Sequence, residues 1–118
     1  MRILVRLFIM FTCLLAVAGA HADERILDFH SEIAVAADAG MRVTETIRVR
    51  AEGQQIRHGI YRDFPTDYRD RYGNRVRVAF KPLALTRDGA AEPFHSERIA
   101  NGVRVYFGAA DKFLPAGE

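Results

Sequence analysis

The chain has 118 residues, of which 17 are basic and 15 acidic, so its formal net charge at pH 7 is +2. This length suffices for one ordinary domain but not for two. Arg2 and Arg6 both lie in a predicted leader, so the remaining chain is neutral apart from its histidines. It lacks the basic excess typical of nucleic-acid-binding domains, and we expect no nucleic-acid partner.

Residues 1–22 have the three parts of a cleavable secretory signal peptide. Arg2 and Arg6 precede an apolar run over residues 7–20, and Ala20-His21-Ala22 then supplies small residues at the two positions that signal peptidase reads. The run is too short to cross a bilayer, which takes about 20 residues. The alternatives are an uncleaved anchor or a buried core helix.

We predict that the exported form begins at Asp23. Cleavage there removes Cys13, the single cysteine of the chain. The remaining domain then has no disulfide, although an oxidising compartment would permit one. Intact-mass spectrometry of protein exported by a bacterial host measures the N-terminus, and retention of Met1 on that form would contradict the prediction.

The first predicted elements are the two strands of a β-hairpin. From Met41 to Ala51, five of the six odd positions are apolar and no even position is, which is the period of a half-buried strand. Residues 26–35 are rich in β-forming types, and Asp38-Ala39-Gly40 supplies the turn. Glu45 interrupts the apolar face. If buried, it needs a partner, expected to be an arginine from residues 57–71; otherwise it reaches water at a strand end.

Further turns divide the rest of the chain into short strands. One predicted strand lies between the turns at residues 72–74 and 87–89. Its apolar side chains change from one face to the other at Pro82, which favours a bulge or an edge position. Asn101-Gly102 predicts a two-residue type I′ turn between strands at residues 94–100 and 103–107.

Roughly six short strands without a convincing helix predict an all-β fold, an antiparallel β-sandwich of immunoglobulin-like size over residues 23–118. The last residues, 114–118, form a predicted turn with no strand after it. We therefore expect the sandwich to be incomplete at its C-terminus and the chain to be the N-terminal part of a longer protein.

Three segments resemble one protein family: Asp38–Ile47, Gly59–Pro65 and Asn101–Val105. They are similar to the N-terminal extracytoplasmic region of the YciQ-like predicted membrane proteins, a family defined by a domain of unknown function, over about residues 24–118. The resemblance implies that further strands and then transmembrane helices follow Glu118, so that the protein is anchored in the membrane of the cell envelope. It implies no activity and no catalytic residues.

The segment over residues 56–74 is the predicted binding region, a long irregular connection rich in arginine, aspartate and aromatic residues. Such residues are enriched at binding hot spots, and such connections often carry function. The candidate binding residues are Tyr61, Arg62, Asp63, Tyr68 and Arg69, with Tyr61 and Arg62 pointing outward together.

The alternative is that this segment is structural. Ile60 and Phe64 would then plug one end of the sandwich, Gly59 would supply an unusual backbone angle, and Arg62 would pair locally with Asp63. The candidate structural residues are Glu45, Gly59, Ile60, Phe64 and Pro65.

The sequence shows no pattern typical of catalysis or metal binding. The histidines His30, His58 and His95 are scattered without zinc-site spacing, residues 67–74 lack the calcium-loop pattern, and neither serine lies in a nucleophile elbow. We predict a non-catalytic domain, with no cofactor or metal, that binds an envelope protein or cell-wall material. The alternatives are an envelope hydrolase that uses His58 and Asp63, and a purely structural spacer.

Overall fold

The structure is a computed structural model that describes residues 23–118, and the predicted signal peptide over residues 1–22 lies outside this range. The described residues form strands and no helix, which confirms the all-β prediction. None of them belongs to a helix that could span a membrane. In chain order the strands are β1 (Arg25–Val35), β2 (Met41–Arg50), β3 (Tyr61–Pro65), β4 (Asp67–Arg69), β5 (Arg75–Arg77), β6 (Thr86–Arg87), β7 (Ala90–Ala91), β8 (Phe94–Ile99) and β9 (Gly102–Phe107).

Every pairing between these strands is antiparallel, as predicted. The pairs β1–β2, β4–β5 and β6–β7 are two-stranded hairpins, and the remaining strands form a three-stranded sheet in the order β3–β9–β8. Strand β9 is therefore central, with β3 and β8 at the two edges. Its residue Val105 is 4% exposed and lies among the few buried side chains of residues 23–118.

The predicted hairpin of β1 and β2 is confirmed, and it is amphipathic. A register shift between Ile26 and Asp28 changes the parity of β1, so that Ile26 shares a face with the odd-numbered residues that follow. The other face is mainly polar or charged. Cross-strand partners project to the same side, so one face carries the pairs Ile26–Val49, Phe29–Ile47, Ser31–Glu45, Ile33–Val43 and Val35–Met41.

The turn between β8 and β9 lies where the sequence predicts it but is not of type I′. Ile99 pairs with Gly102, so Ala100 and Asn101 are the central residues, and neither has the positive φ that a type I′ turn requires. Gly102 is needed for another reason. A Cβ atom there would overlap the carbonyl oxygen of Phe64 on β3, so glycine permits the close approach of these two strands.

Two other predicted features are wrong. Residues 56–74 are not an irregular connection, because they contain β3 and β4. Conversely, residues 75–86 do not form one strand: only Arg75–Arg77 and Thr86–Arg87 are extended in sheets. Pro82 lacks the N–H that a ladder requires, and residues 78–85 belong to no sheet.

The carboxylate of Glu24 holds the loop that follows β2. It accepts four backbone N–H groups, at distances of 2.6 to 2.9 Å, from Glu52, Gln54, Gln55 and Ile56. Partial removal from water raises the pKa of this carboxyl, but the four hydrogen bonds outweigh that effect and lower the pKa to about 2. Glu24 thereby ties the start of β1 to the end of β2.

We predict that Glu24→Gln destabilises the protein at neutral pH and that the deficit shrinks in acid. The pKa of Glu24 falls from 4.5 to about 2 on folding, so its contribution is complete above about pH 5 and is lost as the pH falls toward 2. Urea unfolding of both proteins across this range measures the difference. Glu32→Gln, on the exposed polar face of β1, is the control; a Glu24→Gln deficit that stays constant from pH 7 to pH 3 would contradict the prediction.

Candidate binding surface

The outer face of the three-stranded sheet carries two cross-strand rows of aromatic and charged side chains. Strand register places Tyr61, Tyr106 and His95 side by side, and two residues away it places Asp63, Arg104 and Glu97 in the same order. One row is therefore aromatic and the other is charged. We call these six residues the outer-face array.

The aromatic row is held by contacts between its rings. The His95 and Tyr106 rings are stacked, with centroids 4.7 Å apart and planes 11° apart. The Tyr61 and Tyr106 rings are tilted by 51° at a centroid distance of 5.9 Å. Tyr61 nevertheless remains 53% exposed, so the row offers apolar ring surface and phenol groups to the solvent.

The charged row is centred on Arg104. Its Nε and Nη2 atoms donate to the two carboxylate oxygens of Asp63 at 2.6 and 2.8 Å, and its Cζ atom lies 4.1 Å from the centroid of the Tyr61 ring. The hydrogen bond from Arg104 is the main reason that the pKa of Asp63 is lowered. Reciprocally, hydrogen bonds with Asp63 and then Tyr106 raise the pKa of Arg104. Both side chains stay ionised at physiological pH, and the fork of Arg104 is held in a fixed orientation.

On the opposite, inner face of β3, Arg62 is bound to Glu45 of the β1–β2 hairpin. Its Nε and Nη2 atoms donate to the two Glu45 oxygens at 2.8 and 2.7 Å, and this hydrogen bonding is the main reason that the pKa of Arg62 is raised. The guanidinium also lies 5.2 Å from the Phe29 ring centroid and 5.4 Å from that of Phe64. The partner of Glu45 is therefore an arginine from residues 57–71, as the sequence predicts.

The predicted binding residues are distributed over three places. Tyr61 and Asp63 lie together in the outer-face array, Arg62 lies on the inner face, and Tyr68 and Arg69 lie on the separate β4–β5 hairpin. Because successive strand residues point to opposite faces, Tyr61 and Arg62 do not form the outward-facing pair that was expected. The expected local ion pair of Arg62 with Asp63 is also wrong, since each has a different partner.

The predicted structural residues of this segment have identifiable roles. Phe64 stacks on Phe80 with centroids 4.8 Å apart, and Ile60 accepts the Phe107 N–H at 2.9 Å through its carbonyl. Gly59 has a φ of 153°, and a Cβ atom there would overlap the carbonyl oxygen of Phe107. Pro65 ends β3 opposite Gly102. These contacts align β3 with β9 and so position the outer-face array.

The two residues of the hydrolase alternative have separate partners. The His58 Nδ1 atom lies 2.7 Å from the carbonyl oxygen of Lys112, and its ring lies 4.5 Å from that of Phe113, whereas Asp63 is bound to Arg104. Over residues 23–118, no three His, Cys, Asp or Glu side chains are grouped so that they could hold a metal ion.

Comparisons with known proteins give one family. The family described as "Predicted membrane protein (DUF2207) N-terminal domain" matches residues 25–118. The chain is 31% identical over 96 residues to "Uncharacterized protein YciQ" of Escherichia coli (strain K12), and the alignment covers 81% of the chain and 15% of YciQ. The chain therefore spans only about 15% of the length of this curated relative. No solved structure matches it.

Proposed function

The chain belongs to the DUF2207 family of predicted membrane proteins, and we propose that residues 23–118 are a non-catalytic binding module of a membrane-anchored envelope protein. The signal peptide directs this module to the extracytoplasmic face of the plasma membrane. There it binds an envelope protein or cell-wall material. The membrane anchor lies in segments of the full-length protein that follow this domain.

We further propose that the β1–β2 hairpin and the three-stranded sheet are the two layers of an antiparallel sandwich. The link from Arg62 to Glu45 supports this arrangement, because it joins the inner face of the sheet to the apolar face of the hairpin. Much of that apolar face is exposed, including Ile33, Val35 and Met41. In the longer protein, further chain would cover these residues.

The observation that carries the binding proposal is the order of the outer-face array. Its side chains project away from the inner face, so burial of the apolar residues does not require them. Yet Tyr61, Arg104 and Asp63 are fixed by bidentate hydrogen bonds and by a cation–π contact. Fixing such side chains before a ligand arrives lowers the entropic cost of binding. Tyrosine and arginine are also the residue types that dominate binding hot spots.

The test compares two exposed aromatic residues, Tyr61 inside the array and Phe113 outside it. We expect the exported protein to co-sediment with purified peptidoglycan sacculi or, through a photo-crosslinking amino acid at position 61, to crosslink to an envelope protein in cells. Tyr61→Ala should weaken sedimentation at least tenfold, the effect of a hot-spot residue. Phe113→Ala, which removes a side chain that is 74% exposed and lies outside the array, is the matched control.

Two results would contradict the binding proposal. The first is that the protein neither sediments with sacculi nor crosslinks from position 61 more than from position 113. The second is that the protein sediments with sacculi but Tyr61→Ala and Phe113→Ala weaken sedimentation equally. Either result would favour the spacer alternative. Thermal denaturation of both variants shows whether each remains folded.

A further inference from the structure

The tip of the β4–β5 hairpin concentrates positive charge. Arg69 and Arg75 are direct cross-strand partners, and Arg71 lies in the turn between them with its Cζ atom 4.8 Å from the centroid of the Tyr72 ring. Tyr72 is 74% exposed, and every residue from 71 to 77 is exposed. We call Arg69, Arg71, Tyr72 and Arg75 the arginine tip.

The nearby aspartate does not neutralise the arginine tip. Asp70 turns its carboxylate to the backbone N–H groups of Tyr72 and Asn74, at 2.8 and 2.9 Å, and to the Asn74 side-chain amide at 3.0 Å. These bonds, that of the Asn74 side chain foremost, lower the pKa of Asp70. In the described part of the chain, none of the three tip arginines forms an ion pair.

The base of the same hairpin shows the contrast. There Arg77 and Arg98 both bind the carboxylate of Asp67, so these two positive charges share one negative partner. At the tip, by comparison, Arg69 and Arg75 face each other as like charges across the strands, an arrangement that destabilises a β-ladder. Arg69 donates to the Gly73 carbonyl oxygen at 3.1 Å, a contact that leaves the like charges of the pair uncompensated. An anionic partner would be attracted to both arginines and would offset the repulsion between them.

We propose that the arginine tip docks on the phosphate headgroups of an anionic lipid bilayer. Guanidinium groups form bidentate hydrogen bonds with phosphate, and tyrosine rings are favoured at the boundary between headgroups and acyl chains. All four residues of the tip are exposed, so it suits an extended surface. Membership of a membrane-protein family places such a surface near this domain.

The proposal is tested by co-sedimentation of the exported, purified protein with vesicles of phosphatidylcholine, with and without phosphatidylglycerol. We expect binding only to the vesicles that contain phosphatidylglycerol, and less of it as salt is added. Each basic residue near an anionic membrane surface contributes about fivefold to partitioning. The triple variant Arg69→Gln, Arg71→Gln, Arg75→Gln should therefore bind about 100-fold more weakly.

A matched triple variant distinguishes the effect of the arginine tip on vesicle binding from the effect of the net charge of the protein. Arg25→Gln, Arg42→Gln and Arg48→Gln remove the same charge from exposed positions on the polar face of the β1–β2 hairpin, and should change binding by no more than a few-fold. Arg71→Gln alone, which removes only the contact with the Tyr72 ring, should still weaken binding about fivefold.

Arg75→Glu provides a signature that a purely structural role would not give. It replaces the like-charge pair with an opposite-charge pair, so it should raise the melting temperature while it weakens vesicle binding. Three results would overturn the proposal: no binding to phosphatidylglycerol vesicles, equal losses in the two triple variants, or displacement by inorganic phosphate but not by chloride at equal ionic strength. The last would assign the tip to a soluble phosphate ligand.

Discussion

Arg62→Ala is expected to lower the free energy of unfolding by about 3 kcal/mol, the lower end of the range for breaking a buried ion pair, because this pair is only partly buried. The side chains of Arg62 and Glu45 are 33% and 15% exposed, and the bond between them joins the three-stranded sheet to the β1–β2 hairpin. Removal of the guanidinium leaves a largely desolvated carboxylate without its partner. It also removes the group that lies between Phe29 and Phe64.

Urea unfolding of the single variant and of the double variant Arg62→Met, Glu45→Met tests this prediction. Replacing both partners with apolar side chains should restore most of the stability, because it leaves no unpaired charge. Arg48→Ala, on the exposed polar face of β2, should cost less than about 0.5 kcal/mol. If Arg62→Ala costs no more than this control, Arg62 does not fasten the two sheets, and the hypothesis that it contacts a partner gains support.

Gly59→Ala should be at least as disruptive, with a cost above about 3 kcal/mol or a failure to fold. The new Cβ atom would overlap the carbonyl oxygen of Phe107, a backbone atom of the central strand that cannot move without breaking the β3–β9 pairing. The positive φ of Gly59 adds to the strain. Loss of this pairing would displace Tyr61 and Asp63 relative to Arg104, so the outer-face array would be lost as well.

Gly73→Ala is the matched control for this substitution. Gly73 also has a positive φ, 85°, but a Cβ atom there has no other atom within 4 Å. Gly73→Ala should therefore lower the free energy of unfolding only by the penalty of a left-handed conformation, about 1–2 kcal/mol. Urea unfolding measures both variants under the same conditions. Equal costs would show that the backbone angle, and not the contact with Phe107, makes glycine necessary at position 59.

The parts of the fold that could be predicted from sequence are those formed by neighbouring residues. The β1–β2 hairpin was predictable because strict alternation follows a recognisable turn at residues 38–40. The junction of β8 and β9 was predictable for the same reason. Strand β3 was missed because its alternation is polar. Arg62 and Phe64 face inward while Tyr61 and Asp63 face outward, and a partly buried arginine cannot be told from an exposed one in a sequence.

The candidate site was predictable only in part for a related reason. Tyr61 and Asp63 stood out because they lie in a segment dense in aromatic and charged residues. Their partners Arg104, Tyr106 and His95 did not, since only the register of β3 with β9 brings them together. The alternation of residues 103–107 indicated a strand with an outward polar face. That pattern did not indicate which strand would pair with it.

The amphipathic β1–β2 hairpin also affects the order in which the chain folds. Its partners are close in sequence, so it can form within microseconds. By contrast, Asp63 and Arg104 are 41 residues apart, so the pairing of β3 with β9 requires a long loop to close first. During that interval the apolar face of the hairpin has no sheet to contact, and such a surface is prone to aggregation. We therefore expect this hairpin to be the segment most prone to aggregation while the rest of the domain is still folding.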